Sequence, residues 1–262
     1  MVLLAVIAAS VNTDARDEMR LAYNGALRAK AEALAEGGVY RAIATLHDTR
    51  PEARWRTDGS EYEFAQGEGI VRVRIEDEAG KIDLNAAPAE LLQALFRVVG
   101  VDELIAAALV QKMLAFDASD EDSSSAQDDA DSARQRYLFD NVEQLRELPG
   151  MTQAIFERVA PFVTVYTRQA GVDPSVAPRE VLIALGSDPS AVDNLLAARD
   201  NDEPLELPGV SSGSISQTQR RVFSIVAVAT VGGAVFGRRA VIRLTYNPEL
   251  PFVIHSWRRL PS

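Results

Sequence analysis

Three aspartates in a short acidic run, Asp117, Asp120 and Asp122, are the residues best spaced for chemistry in this chain. Their carboxylates could share one hard cation through oxygen ligands, the coordination that Ca²⁺ takes. The run continues through Glu121, Asp128, Asp129 and Asp131 without a lysine or arginine. Its spacing is not that of an EF-hand loop, and Ser123-Ser124-Ser125 beside it has the composition of a solvated linker. No cofactor is expected, a solvated linker being the better account of this run; calcium at these three residues is the alternative.

Acid–base and nucleophilic chemistry find less support. His47 and His255 are the only histidines and stand in unlike contexts. His47 closes a long helix, where an imidazole complements the negative end of the dipole. His255 falls in a terminal strand. Asp83 with Glu90, and Asp173 with Glu180, form two carboxylate pairs at helix starts, where capping accounts for them. No Gly-x-Ser-x-Gly, P-loop or dinucleotide fingerprint is present. The absence of cysteine rules out disulfides and thiolate metal sites. A non-enzyme is therefore expected. With 38 acidic against 27 basic residues the formal net charge is −11. That balance argues against nucleic acid, whose phosphates need Lys and Arg to displace counterions.

The elements behind these residues begin with a repeat. Ile82-Asp83-Leu84-Asn85-Ala86-Ala87-Pro88-Ala89-Glu90-Leu91-Leu92-Gln93-Ala94-Leu95 returns as Val172-Asp173-Pro174-Ser175-Val176-Ala177-Pro178-Arg179-Glu180-Val181-Leu182-Ile183-Ala184-Leu185. Each copy predicts a helix entered through proline, where the missing N–H costs nothing. Glu90 and Glu180 then suit the positive end of the helix dipole. Leu91, Leu92 and Leu95, like Val181, Leu182 and Leu185, give one apolar face. Two similar helix-entry units thus bracket one helical body.

Upstream, Asp14 to Leu46 reads as one long, Ala-rich helix with Tyr23, Leu27, Ala31, Leu34, Gly38, Ala42 and Leu46 on one face. Before it, Val2 to Ala9 is an apolar run shorter than the roughly 20 residues of a membrane span. It reads as the tail end of a membrane anchor. After Pro51 the period becomes two: Tyr62 and Phe64 oppose Glu61 and Glu63, and Val71, Val73 and Ile75 alternate with Arg72, Arg74 and Glu76. Strands return from Arg221 to Val231, turn at Gly232-Gly233, and continue through Ala240, Ile242, Leu244 and Tyr246 and then Phe252 to Trp257. The expectation is an α+β fold: a long N-terminal helix on an antiparallel sheet, with a large all-α domain inserted between strands. Its divisions fall at 1–83, 84–218 and 219–262.

Inside the insert, Glu143 to Leu148, the Pro149-Gly150 turn and Ile155 to Val159 have the parts of a helix-hairpin-helix, echoed at Leu205 to Val210. In DNA-binding versions such hairpins offer backbone N–H groups to phosphate. Here Glu143, Glu147 and Glu157 surround the turn, and packing is the better account. A helix-hairpin-helix nucleic-acid-binding module is the alternative function.

Together, Gly80-Lys81-Ile82-Asp83-Leu84-Asn85-Ala86-Ala87-Pro88, the Leu-Pro-Gly-Met hairpin, Pro161 to Tyr166, and Val172-Asp173-Pro174 with Ala177-Pro178 resemble the type II secretion system minor pseudopilin K family. Ala35 to Ala42 and the closing Ser256-Trp257-Arg258 fit the same pattern, in the same order, over nearly the whole chain. The family's basic leader and peptidase cleavage site are not matched, so the first segment reads as a shortened anchor. The resemblance implies an inner-membrane-anchored, periplasmic-facing subunit at the tip of a short pseudopilus, assembled with pseudopilins I and J. On that reading Leu27, Leu34, Gly38, Val39 and Ile43 are the candidate partner interface.

Overall fold

The computed structural model describes residues 2–50, 53–116, 139–200 and 221–260, with the side chains of the first helix from residue 17 onward. The chain forms two compact units, one joining Met1–Glu76 to Phe223–Ser262 and the other spanning Asp77–Val222.

The first unit is a helix on a sheet. Helix α1 runs from Val2 to His47 without a proline, about 70 Å at 1.5 Å per residue. Leu27, Ala31, Ala35, Val39, Ala42 and Ile43 are its buried face, spaced by three and four residues. Beneath it lie β1 (Asp58–Gln66), β2 (Gly69–Asp77), β5 (Val222–Val231), β6 (Ala234–Leu244) and β7 (Phe252–Arg259), in the order β1-β2-β5-β6-β7. The early hairpin and the last three strands thus share one sheet, and their inward residues, Val71, Val73, Ile75, Ile225, Ala227 and Ile242 among them, form one core with α1. Register follows the alternation read from sequence, with Tyr62 opposite Val73 and Phe64 opposite Val71. Two-residue turns join the hairpins: Gly67-Glu68, with Gly67 at φ +58°, and Gly232-Gly233, both at positive φ as a type I′ turn requires. The register of β6 against β7 slips between Val241 and Ile242, leaving His255 as an extra residue in the edge strand, a bulge. Tyr246, read as a strand residue, lies beyond β6 and is exposed.

The second unit contains α2 (Ala89–Val98), α3 (Glu103–Phe116), α4 (Gln153–Val159), α5 (Arg179–Ala184) and α6 (Pro189–Asp200). It is not purely helical. β3 (Ile82–Asp83) and β4 (Val163–Thr164) pair in parallel, Ile82 with Val163 and Asp83 with Thr164. The repeat takes the same shape twice. Asp83 Oδ1 accepts from the Asn85 amide at 2.9 Å, and Asp173 Oδ1 from the Ser175 amide at 3.0 Å, each an Asx turn leading to a helix. Pro88 and Pro178 stand at the N-cap, one residue before the helix proper. The two helices pack together through Leu91, Leu92, Leu95, Val181 and Leu182 in one core. Gly80 passes against the second copy, and a Cβ there would lie 2.5 Å from the Val176 carbonyl oxygen.

Candidate partner-binding surface

The interface candidates on α1 are placed mostly in this unit's own core. Leu27, Val39 and Ile43 are buried among sheet side chains, with Leu34 partly buried against them. Gly38 lies so near the sheet that a Cβ would stand 2.8 Å from Val71 Cγ1 and 3.2 Å from Val73 Cγ2 and Ala227 Cβ. The close approach at Gly38 is therefore made by the chain's own strands. That face of the helix is covered by the chain's own sheet.

The uncovered part of the described side chains is the stretch before Leu27. Every residue from Asp17 to Ala26 is exposed, including Met19, Leu21 and Tyr23. Tyr23, assigned by period to the buried face, is 65% exposed, because the sheet covers the helix only from Leu27 onward. Farther along, Tyr40 is exposed and tilts against Trp257, ring centroids 5.8 Å apart.

A buried cation fixes helix to sheet just above this stretch. Arg238 of β6 donates from Nη2 to Glu32 Oε1 at 2.8 Å and to Glu36 Oε1 at 2.6 Å, two glutamates one turn apart on α1. Its guanidinium lies 5.0 Å from the Phe236 ring and 5.4 Å from the Trp257 ring, so packing and charge act together. Sequence reasoning missed Arg238. Its signal was an arginine on the face of its strand that also carries Phe236, Ala240 and Ile242. Beside it, Asn24, Leu27, Arg28, Gly232, Gly233, Ala234, Val235 and Arg259 line an open groove of about 500 Å³.

Asp117, Asp120 and Asp122 lie outside the described residues, as does the second Leu-Pro-Gly sequence. Among the described residues, no group of His, Cys, Asp or Glu could hold a metal ion. His47 does end α1, with Nδ1 3.0 Å from the Ile43 carbonyl and Nε2 3.3 Å from that of Pro251. His255 Nε2 accepts from Arg243 Nε at 3.2 Å.

The carboxylate pairs need correction. Asp83 caps no helix: it is buried, and its Oδ2 accepts from the Thr167 amide, the Thr167 hydroxyl and the Arg168 amide at 2.8–3.0 Å. Burial pushes its carboxyl above the usual range, while the donors from Arg168, Asn85 and Thr167 pull the other way. It acts as a clamp on the loop after β4, and Arg168 is held at φ +56° there. Asp173 likewise closes a turn rather than capping α5, and its hydrogen bonds include the Ser175 hydroxyl.

The hairpin also differs from expectation. Its first arm is a 3₁₀ turn, Val142–Glu147, with an Asn141/Gln144 capping box, rather than an α-helix. Arg146 stacks 4.1 Å over Phe156, and Arg158 Nη1 donates to the carbonyls of Val99 and Gly100 at 3.0 and 2.9 Å. Lys112 donates to the Pro149 carbonyl at 2.6 Å. The basic groups near this turn bind the chain itself.

Residues 73–168 match the family model described as Type II secretion system (T2SS), protein K. No curated protein matches the chain. Among solved structures, it is similar to a chain of the crystal structure of the GspK-GspI-GspJ complex from the enterotoxigenic Escherichia coli type 2 secretion system. The match covers 95% of this chain and 100% of the other, at 17% identity and a TM-score of 0.61. At that identity the likeness concerns the fold.

Proposed function

We propose that this chain is a member of the type II secretion system protein K family, a non-catalytic minor pseudopilin that initiates or caps the pseudopilus at its tip with pseudopilins I and J; the family-model match over residues 73–168 and the shared fold support this. The observation that carries this reading is the division of α1. Its second half is buried on the chain's own sheet, and residues 17–26 stand exposed with Met19, Leu21 and Tyr23 among them. A helix that extends past its own sheet and presents apolar side chains is suited to packing against neighbouring helices in a filament.

The fold is that of a protein solved together with GspI and GspJ, which supports partners of those two classes. A helical unit as large as Asp77–Val222 would obstruct further subunits stacked above it, which favours a tip position. The N-terminal helix would point toward the inner membrane, with both units on the periplasmic side. Among the described residues, no helix is long and apolar enough to cross a membrane.

The test is reconstitution. The chain from residue 15 onward, mixed with soluble domains of pseudopilins I and J from the same system, is expected to elute from size exclusion as one ternary complex with equimolar light-scattering mass. Three separate folded species at micromolar concentration would overturn the reading.

A further inference from the structure

We propose that the groove between α1 and the Gly232-Gly233 turn seats a carboxylate side chain from a partner pseudopilin helix, held between Arg28 and Arg259. This rests on the minor-pseudopilin reading and names the chemistry of its contact. The groove's lining mixes apolar Leu27, Ala234 and Val235 with polar groups; its two charged residues are both arginines, with Asn24 beside them. Its volume, about 500 Å³, suits one or two side chains rather than a whole helix.

Three observations point to an anion. The first is that neither Arg28 nor Arg259 makes an ion pair with a described acidic residue, although the chain carries eleven more acidic than basic side chains. The acidic residue one helical turn beyond Arg28 is Glu32, the natural i, i+4 partner, yet its carboxylate faces Arg238 at 2.8 Å. The second is that Arg259 stands directly across the strands from Arg238, a like-charge pair that costs stability. Arg238 is neutralised by Glu32 and Glu36, whereas Arg259 has only the Phe236 ring at 4.9 Å. The third is continuity: Asn24 and Arg28 follow the exposed Leu21 and Tyr23 on the same helix. A partner packed along that stretch would bring a Glu or Asp to the groove and cancel both charges.

The close fit of Gly232 keeps the groove open. A Cβ there would stand 3.0 Å from both Leu27 methyls, and φ is +53° besides. The turn can therefore lie against the helix without filling the space above it.

The experiment is calorimetric titration of the chain with the pseudopilin I–J pair at low and high salt. The Arg28→Glu/Arg259→Glu double variant is expected to bind about tenfold more weakly at low salt and to lose most of the salt dependence. Arg239→Glu, one residue along β6 and on the other sheet face, should stay within about threefold. Arg28, Arg259 and Arg239 are all exposed, so thermal melting is expected to match the parent. A double variant that binds like the parent overturns the groove and leaves the pseudopilin reading standing. Equal weakening by Arg239→Glu also overturns it, since that outcome reports net charge alone. A parent chain that binds neither partner overturns both.

Discussion

Arg238 in the helix-and-sheet unit and Asp83 in the helical unit are both nearly buried, 8% and 1% exposed, yet they are neutralised in different ways. Arg238 meets two side-chain carboxylates on another element, themselves partly open to solvent. Asp83 meets no cation and is satisfied by three backbone amides and a hydroxyl. The first arrangement joins a long helix to its sheet at one level and leaves charge and helix surface available beyond it. The second locks a loop inside a body that keeps its hydrogen bonding to itself. The contrast separates a unit whose charges reach between elements and toward solvent, the one proposed above to meet partners, from a unit whose buried charge is satisfied by its own backbone.

The largest effects should come from the two glycines that each unit closes around. Gly38→Leu forces side chain into space already held by Val71, Val73 and Ala227. Overpacking of this kind costs about 1–3 kcal/mol or more, and the upper end is expected here because three neighbours must move. Urea unfolding checks it, and an unchanged midpoint would remove α1 from the sheet. Gly80→Ala should cost a similar amount in the helical unit, because its new methyl meets Val176 backbone, which cannot rotate away.

Next comes Asp83→Ala, which strands buried donors from Thr167 and Arg168. At about 1–3 kcal/mol for each unsatisfied donor, a loss near 3 kcal/mol is expected. Arg238→Met keeps much of the packing but separates helix from sheet electrically. Because Glu32 and Glu36 can turn to water, about 1–2 kcal/mol is expected rather than the full cost of a broken buried pair. Equal losses at Asp83 and Arg238 would erase the contrast. Arg158→Met is the smallest, about 1 kcal/mol from two exposed hydrogen bonds.

Acid should act on Asp48 and Asp83 with opposite sign. The Arg50 side chain and amide hold the Asp48 carboxyl down from 3.8 to about 2. Its stabilisation is complete above pH 3.8 and disappears as pH falls through about 2. Burial holds the Asp83 carboxyl above 3.8, so its folded form binds a proton before the unfolded form does. Acidification toward pH 3.8 therefore relieves a penalty in the helical unit. Melting temperatures from pH 7 to 2 should lose the first slope in Asp83→Asn and the second in Asp48→Asn. The same profile in both variants would contradict the assignments.

Much of this architecture could be read from local pattern. The period-two runs set the hairpins and their register, because one face of each strand must be buried. The duplicated Asp-to-Leu segment marked both helix entries, since turn, proline and apolar stripe lie within fourteen residues. Contacts made across long separations were less legible. Pairing of Ile82–Asp83 with Val163–Thr164 involves strands too short to show a period, so Asp83 passed for a cap rather than a clamp. The helix periodicity that correctly grouped Leu27, Ala31 and Gly38 extended to Tyr23 as well, because sequence does not say where a sheet stops. Arg238 looked like any strand arginine until Glu32 and Glu36 came beside it from some two hundred residues away.

The most direct test of the account is a crosslinking scan along α1. The chain has no cysteine, so single cysteines can be placed at Met19, Leu21, Tyr23 and Tyr40, and at exposed Leu104 of the helical unit as a comparison, and treated with a short bismaleimide in the presence of pseudopilins I and J that each carry an introduced cysteine on the N-terminal helix. Efficient crosslinks from positions 19, 21 and 23, with little from Leu104, are predicted. Crosslinks confined to Leu104 would contradict the claim that the uncovered stretch of α1 is the surface that meets the partners.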